Sequence, residues 1–174
     1  MKFSRIVSFA AAAVLLTPAF ALDKTQVTAV ANHAESKAAG GWGDYPASLA
    51  IDGEVSGKSS WRGEKQPGAE GEPEQPPTIT FTFPKKVELD GVTIVFFKHF
   101  DRVYTIDILG ATSDNGKFKM LAKGVKNPGE GENQTVFEFK KTKLKQLRIV
   151  GHGNSNEKFA DWTNIIEIYF NEPA

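Results

Sequence analysis

Thr78-Ile79-Thr80-Phe81-Thr82-Phe83 alternates without a fault between a β-branched hydroxyl residue and a large apolar one. A strand turns successive side chains to opposite faces, so Ile79, Phe81 and Phe83 face a core while the threonines face outward. Further runs of period two follow at 92–97, 104–109, 118–122, 135–139 and 144–150. They are short, rich in Val, Ile, Phe and Thr, and divided by turn formers such as Asp114-Asn115-Gly116 and Pro128-Gly129-Glu130-Gly131. No long stretch beyond residue 21 holds apolar residues at three-and-four spacing, which limits helix to a turn or two, near 45–49 and 158–162. In the first of these turns Ala47 and Leu49 would pack inward. Many short strands with little helix predict an all-β sandwich.

Toward the C-terminus, Leu147 and Ile149 alternate with Gln146 and Arg148 until Gly151-His152-Gly153-Asn154-Ser155-Asn156 stops the run, because glycine and asparagine favour turns. A loop bearing His, Asn and Ser is therefore expected at the end of a sheet. The next run sets Ile166, Ile168 and Phe170 on one face and Glu167 and Tyr169 on the other. Glu167 then points away from the core and needs solvent, a cation or a hydrogen-bond partner. Residues 66–77, Gln-Pro-Gly-Ala-Glu-Gly-Glu-Pro-Glu-Gln-Pro-Pro, form a poor core and read as a long surface loop inside one domain.

Residues 1–21 read as a secretory leader: Lys2 and Arg5 lead, an apolar run from Phe9 to Leu16 follows, and Ala19-Phe20-Ala21 supplies the cleavage site. That run is short for a membrane span. Residues 22–174 are then a single domain, secreted or periplasmic, with no span after cleavage. The chain has no cysteine, so its stability comes from packing, with or without a metal. Cleavage removes two of the 21 basic residues and none of the 21 acidic ones, which leaves a slightly negative protein and argues against a nucleic-acid binder.

No zinc-protease helix motif, nucleophile elbow, phosphate-cradling loop or cysteine nucleophile is present. The residues that could carry chemistry are a cationic and aromatic set: Arg62, Lys98, His99, Arg102, His152 and Asn154, with Trp42, Tyr45 and Phe100 in nearby loops. Loops converge at one end of a sandwich, so distant residues can share a surface. Arginine grips a carboxylate with two parallel hydrogen bonds, lysine attracts it as a point charge, and aromatic rings offer an apolar platform. Competing readings are a pair of Arg62 with Glu64 or with an acid of the long loop, Lys98 and Arg102 as solubilising charges on a hairpin, Trp61 and Trp162 as core residues, and His33 as a surface residue without supporting neighbours. A second set carries oxygen donors: Asp52 and Glu167, Ser59 or Ser60, and carbonyls near Ala47, Ser48 and Glu54. Such donors suit Ca²⁺. Equally, Asp52 is a turn residue making an Asx bond and Glu167 a solvated strand residue.

Three stretches together resemble a known family. They are Arg148 to Ser155 followed by Trp162, Ile165 and Glu167; Pro46 to Gly53 followed by Ser59-Ser60-Trp61-Arg62; and Phe96 to Arg102 leading into Tyr104-Thr105-Ile106-Asp107-Ile108. In this order they resemble family 32 carbohydrate-binding modules of the discoidin, or coagulation factor C-domain, fold family. The similarity is greatest to the subgroup appended to alginate lyases, and it spans roughly residues 45–170. The resemblance implies a discoidin-like β-sandwich (jelly roll) with long end loops. It also implies a structural calcium ion held by Asp52, Ser59, Glu167, Ser48 and Glu54, away from the sugar. The Asp52-to-Trp61 spacing is two residues longer than the family's pattern, and Ser59 stands where threonine is usual. The implied function is non-catalytic binding of an acidic polysaccharide or its oligosaccharides, such as alginate or polygalacturonate. The rivals are a small jelly-roll polysaccharide lyase, whose Arg-x-Glu-Leu-Arg and Gln-x-His stretches do not occur here, and a discoidin-like adhesion domain.

Overall fold

The computed structural model describes residues 22–36, 38, 40–130 and 133–171, so the expected leader lies outside the described residues. The described residues form seven strands: β1 (Thr28–Ala31), β2 (Trp61–Glu64), β3 (Thr78–Phe96), β4 (Tyr104–Ala111), β5 (Lys119–Lys126), β6 (Gln134–Asn154) and β7 (Trp162–Asn171). Helix among the described residues is limited to 3-10 turns, including Ala47–Ala50 and Glu157–Phe159, close to the two predicted places. In the first, Ala47 and Ala50 are the buried pair and Leu49 is half-buried.

Two pairs of predicted runs fuse. The runs at 78–83 and 92–97 become the single strand β3, and those at 135–139 and 144–150 become β6. β3 and β6 pair antiparallel along their length, from Thr78 opposite Val150 to Val95 opposite Gln134. Register shifts fall between Thr82 and Val87 and between Leu89 and Gly91. Pro84 lies in the first interval and has no backbone donor for the ladder. At the second, Gly91 runs so close to Phe137 that an added Cβ would stand 2.9 Å from its carbonyl oxygen. The bends carry both strands from one layer to the other. Before them β3 lies between β1 and β6, and the layer continues through β4 to β5. After them β3 lies between β7 and β6, with β2 on the outer edge of β7. The result is a sandwich of β1-β3-β6-β4-β5 against β2-β7-β3-β6 that shares its two bent strands.

Ile79, Phe81 and Phe83 are fully buried between the layers, as their alternation predicts, together with Ile94, Ile106, Ile108, Leu147, Ile149, Ile165 and Ile168. Phe170 packs edge-on against Phe81 and Phe83, with ring centroids 5.4 and 5.0 Å apart. Each such side chain contributes roughly 1.5–3 kcal/mol on burial, which is where a cysteine-free domain finds its stability. Trp61 is fully buried on β2 and donates its indole N–H to the His33 carbonyl. His33 is thus no unsupported surface residue, since its Nδ1 also accepts the Glu64 N–H at 3.0 Å.

Candidate functional site

Four segments meet at one end of the sandwich. The connection after β1 brings Glu35, Trp42 and Tyr45, and β2 brings Arg62. The β3–β4 loop brings Phe97, Lys98 and Arg102, while the β6–β7 loop and the start of β7 bring Phe159, Trp162 and Asn164. These residues line a cavity of about 530 Å³. Backbone hydrogen bonds lock the segments together: Glu35 N–H donates to the Arg62 carbonyl, Tyr45 N–H to the Glu35 carbonyl and Phe97 N–H to the Asn164 carbonyl.

The β3–β4 loop owes its shape to buried Asn127, whose Nδ2 donates to the carbonyls of His99 and Arg102 while its Oδ1 accepts the Tyr104 N–H. Tyr104 donates its hydroxyl to the Phe97 carbonyl at 2.7 Å. Burial pushes that phenol up to about 12, against the opposing pull of the Arg102 guanidinium, so it stays a donor. Lys98 closes the turn with φ at 51°, the one left-handed non-glycine residue among those described.

Arg62 lies flat over Tyr45, its guanidinium carbon 3.6 Å from the ring centroid, and Nη1 is 3.6 Å from Glu35 Oε2. Glu35 is occupied on its other oxygen by the Trp42 N–H at 2.7 Å. Arg102 is 5% exposed and sits between the rings of Phe97 and Phe159, at 5.5 and 4.5 Å. No salt bridge reaches Arg102 or Lys98 among the described residues, whereas Arg62 has Glu35. Arg102 Nε and Asn164 Oδ1, on the same wall, are buried without a hydrogen-bond partner. A desolvated cation that meets rings but no carboxylate is arranged to accept an anion. Trp42 stands 78% exposed at the mouth and offers a flat apolar face.

Of the residues singled out from the sequence, Trp42, Tyr45, Arg62, Lys98 and Arg102 share this cavity, and four others stand outside its wall, among them Phe100, which is exposed. His99 is turned inward, 9% exposed, with its ring edge-on to Phe100. His152 projects from β6 toward Asp107 of β4, Nε2 to Oδ2 at 3.0 Å. Burial raises the Asp107 carboxyl, but the Gly124 N–H and His152 outweigh it and hold the group below the usual carboxylate range. Asn154 spends its amide on the chain, donating to the carbonyls of Phe159 and Trp162 and accepting the Asn156 N–H. It shapes the β6–β7 loop from beneath. Trp162, read as core, is only half-buried and lines the cavity. Glu35, Phe159 and Asn164 had no signal of their own in the sequence, lying in a loop, a turn and a strand interior.

The oxygen donors implied for calcium are already engaged. Glu167 is fully buried instead of solvated, with Oε1 on Lys24 Nζ and Oε2 accepting the Gly53 N–H. Asp52 accepts the Glu54 N–H and the Ser59 hydroxyl, the Asx-turn alternative. Glu54 caps Ser56 N–H, and Ser48 is exposed with its carbonyl accepting Ile51 N–H. Among the described residues no three His, Cys, Asp or Glu side chains cluster together. This donor set does not fit a calcium ion, because an ammonium already neutralises its one buried carboxylate.

The fold is shared with solved sugar-binding modules. A pectin-binding carbohydrate-binding module superposes with a TM-score of 0.67 at 19% identity, covering 84% of this chain and 91% of its own. The family 32 module of AlyQ, solved with 4,5-unsaturated mannuronic acid, has a TM-score of 0.67 at 17% identity and covers 88% and 98%. The family 32 module of NanJ from Clostridium perfringens, solved with galactose, gives 0.61 at 18% identity over 86% and 96%. Among curated proteins, none matches the chain. The sequence profile of the F5/8 type C domain matches residues 26–168, which covers both layers of the sandwich and every loop that lines the cavity, and the chain therefore belongs to the F5/8 type C domain family.

Proposed function

We propose that the protein is a non-catalytic carbohydrate-binding module for acidic saccharides, taking a uronate unit in the cavity between Trp42 and Arg102. The observation that carries this reading is three cations, Arg62, Lys98 and Arg102, around one aromatic-walled cavity, with a carboxylate partner for Arg62 alone among the described residues. The planar guanidinium of Arg102, fixed between two rings, can offer a carboxylate a fork of N–H donors, and Lys98 adds a point charge at the rim. Trp42 covers the apolar face of the sugar.

Binding without turnover fits the groups present. A lyase needs a phenol or imidazole base in the cavity. The Tyr104 hydroxyl is committed to Phe97, and His99 is turned inward. The leader-like residues 1–21 support export to the periplasm or beyond. No helix among the described residues is long and apolar enough to cross a membrane.

Calorimetric titration of the protein with galacturonate and mannuronate oligomers tests the reading. A dissociation constant between about 1 μM and 1 mM is expected, worth roughly 4 to 8 kcal/mol. Affinity should fall several-fold as salt rises from about 0.05 to about 0.5 M, because exposed Lys98 is screened. Salt-indifferent binding to neutral galactosides, with none to uronates, would refute it. Unsaturated products absorbing in the ultraviolet would point to the lyase instead. Trp42→Ala is expected to weaken binding about tenfold. Its melting temperature should not change, because the indole is exposed.

A further inference from the structure

Glu167 is a buried acid with a resident cation. Its side chain is fully buried in β7, and the Lys24 ammonium, 26% exposed, lies 2.5 Å from Oε1. The same ammonium stands 3.8 Å above the Tyr169 ring. Lys24 belongs to a 3-10 turn, Lys24–Gln26, that Asp23 caps by accepting the Thr25 N–H, so the lysine is presented from an ordered segment. On the far side, Glu167 Oε2 holds the Gly53 N–H at 2.8 Å.

Calcium takes ~6 to 8 oxygens and leaves no room for an ammonium in direct contact with the same carboxylate. The neighbouring acids are also turned away, Asp52 to Ser59 and the Glu54 N–H, and Glu54 to the Ser56 N–H. We propose that Lys24 replaces the metal: a covalently tethered cation neutralises Glu167 and pins the Asp52-Gly53 turn to β7, making the domain calcium-independent. The pinned turn lies between Tyr45 and Arg62 in the chain, both on the cavity wall. The Lys24–Glu167–Gly53 clamp thereby fixes the span that joins two cavity residues, whichever ligand the cavity takes.

Thermal unfolding and calcium titration of the parent protein, with Lys24→Met and Glu167→Gln alongside, test this. The parent should melt at the same temperature in excess calcium and in excess chelator, and calorimetry should detect no stoichiometric calcium binding. Lys24→Met keeps the length of the side chain but leaves Glu167 buried without its cation, and should melt lower by roughly 10 °C. Two results would overturn the proposal. One is stoichiometric calcium binding by the parent that Glu167→Gln removes. The other is a Lys24→Met protein melting within about 2 °C of the parent. The calcium titration needs no variant to fold and no saccharide to bind, so it can fail or succeed independently of the sugar-binding reading.

Discussion

Arg102→Ala is expected to weaken binding of uronate oligomers by roughly 30- to 150-fold, the equivalent of about 2 to 3 kcal/mol from charge-assisted hydrogen bonds in a desolvated site. The size follows from position. Arg102 is 5% exposed, lies between Phe97 and Phe159, and has no salt bridge among the described residues, so an incoming carboxylate meets a charge already stripped of water. Arg62 stacks on Tyr45 but already has Glu35 as a partner, so Arg62→Ala should cost only about fivefold. Stability should follow the opposite logic. A buried cation without an anion costs desolvation energy, so its removal offsets part of the packing lost between the two rings, and Arg102→Ala should melt within a few degrees of the parent. Arg102→Lys separates charge from geometry: it retains the cation but loses the planar fork, and is expected to remain at least about tenfold weaker. Calorimetry with a melting curve for each of the three variants checks these expectations. Arg102→Ala binding within about threefold of the parent would remove the guanidinium from the recognition scheme.

The parts of this molecule legible in its sequence were those in which a residue's environment is set by its near neighbours. Ile79, Phe81 and Phe83 declare a core face because alternation is a local property of a strand. Whether the runs at 78–83 and 92–97 belong to one strand depends on the pairing of β3 with β6 across the register shifts, and nothing local encodes it. β1 escaped because Thr-Ala-Val-Ala is short and its inward residues are alanines, too small to give a pattern. β2 escaped because one of its two inward positions is Gly63, packed against the Trp61 ring.

Polar residues divide in the same way. Lys98 and Arg102 are large cations in one loop, and the loops of a sandwich converge, so their place on a shared rim could be argued in advance, whereas Arg62 reaches it from the strand β2. A polar side chain with a local partner cannot be told from one awaiting a ligand. Asn154 and His152 have the right chemistry for reading hydroxyls, yet each is used up within the protein. Glu167 shows the reverse. The alternation of β7 showed that this acid would need a partner, but the partner, Lys24, is 143 residues away and no pattern connects the two.

Gly153→Ala is expected to destabilise the protein by about 4 kcal/mol, lowering the melting temperature by roughly 12 °C, and to weaken saccharide binding at the same time. Gly153 has φ at 90°, which L side chains rarely adopt, and a Cβ there would overlap the Ala160 carbonyl oxygen. That oxygen accepts the Asn154 N–H, so backbone cannot yield without opening the turn that Asn154 ties to Phe159 and Trp162, both on the cavity wall. Gly71 is the control: its φ is 85°, but nothing lies within 4 Å of the added carbon, so Gly71→Ala should cost only about 1 kcal/mol and leave binding intact. Asn154→Ala then separates the two roles this residue could have. If its amide supports the loop, stability and affinity fall together, by about 2 kcal/mol in unfolding, since three hydrogen bonds to the chain are lost. If it contacted sugar instead, affinity would fall while the melting curve stayed in place, and the assignment of Asn154 to the scaffold would be wrong.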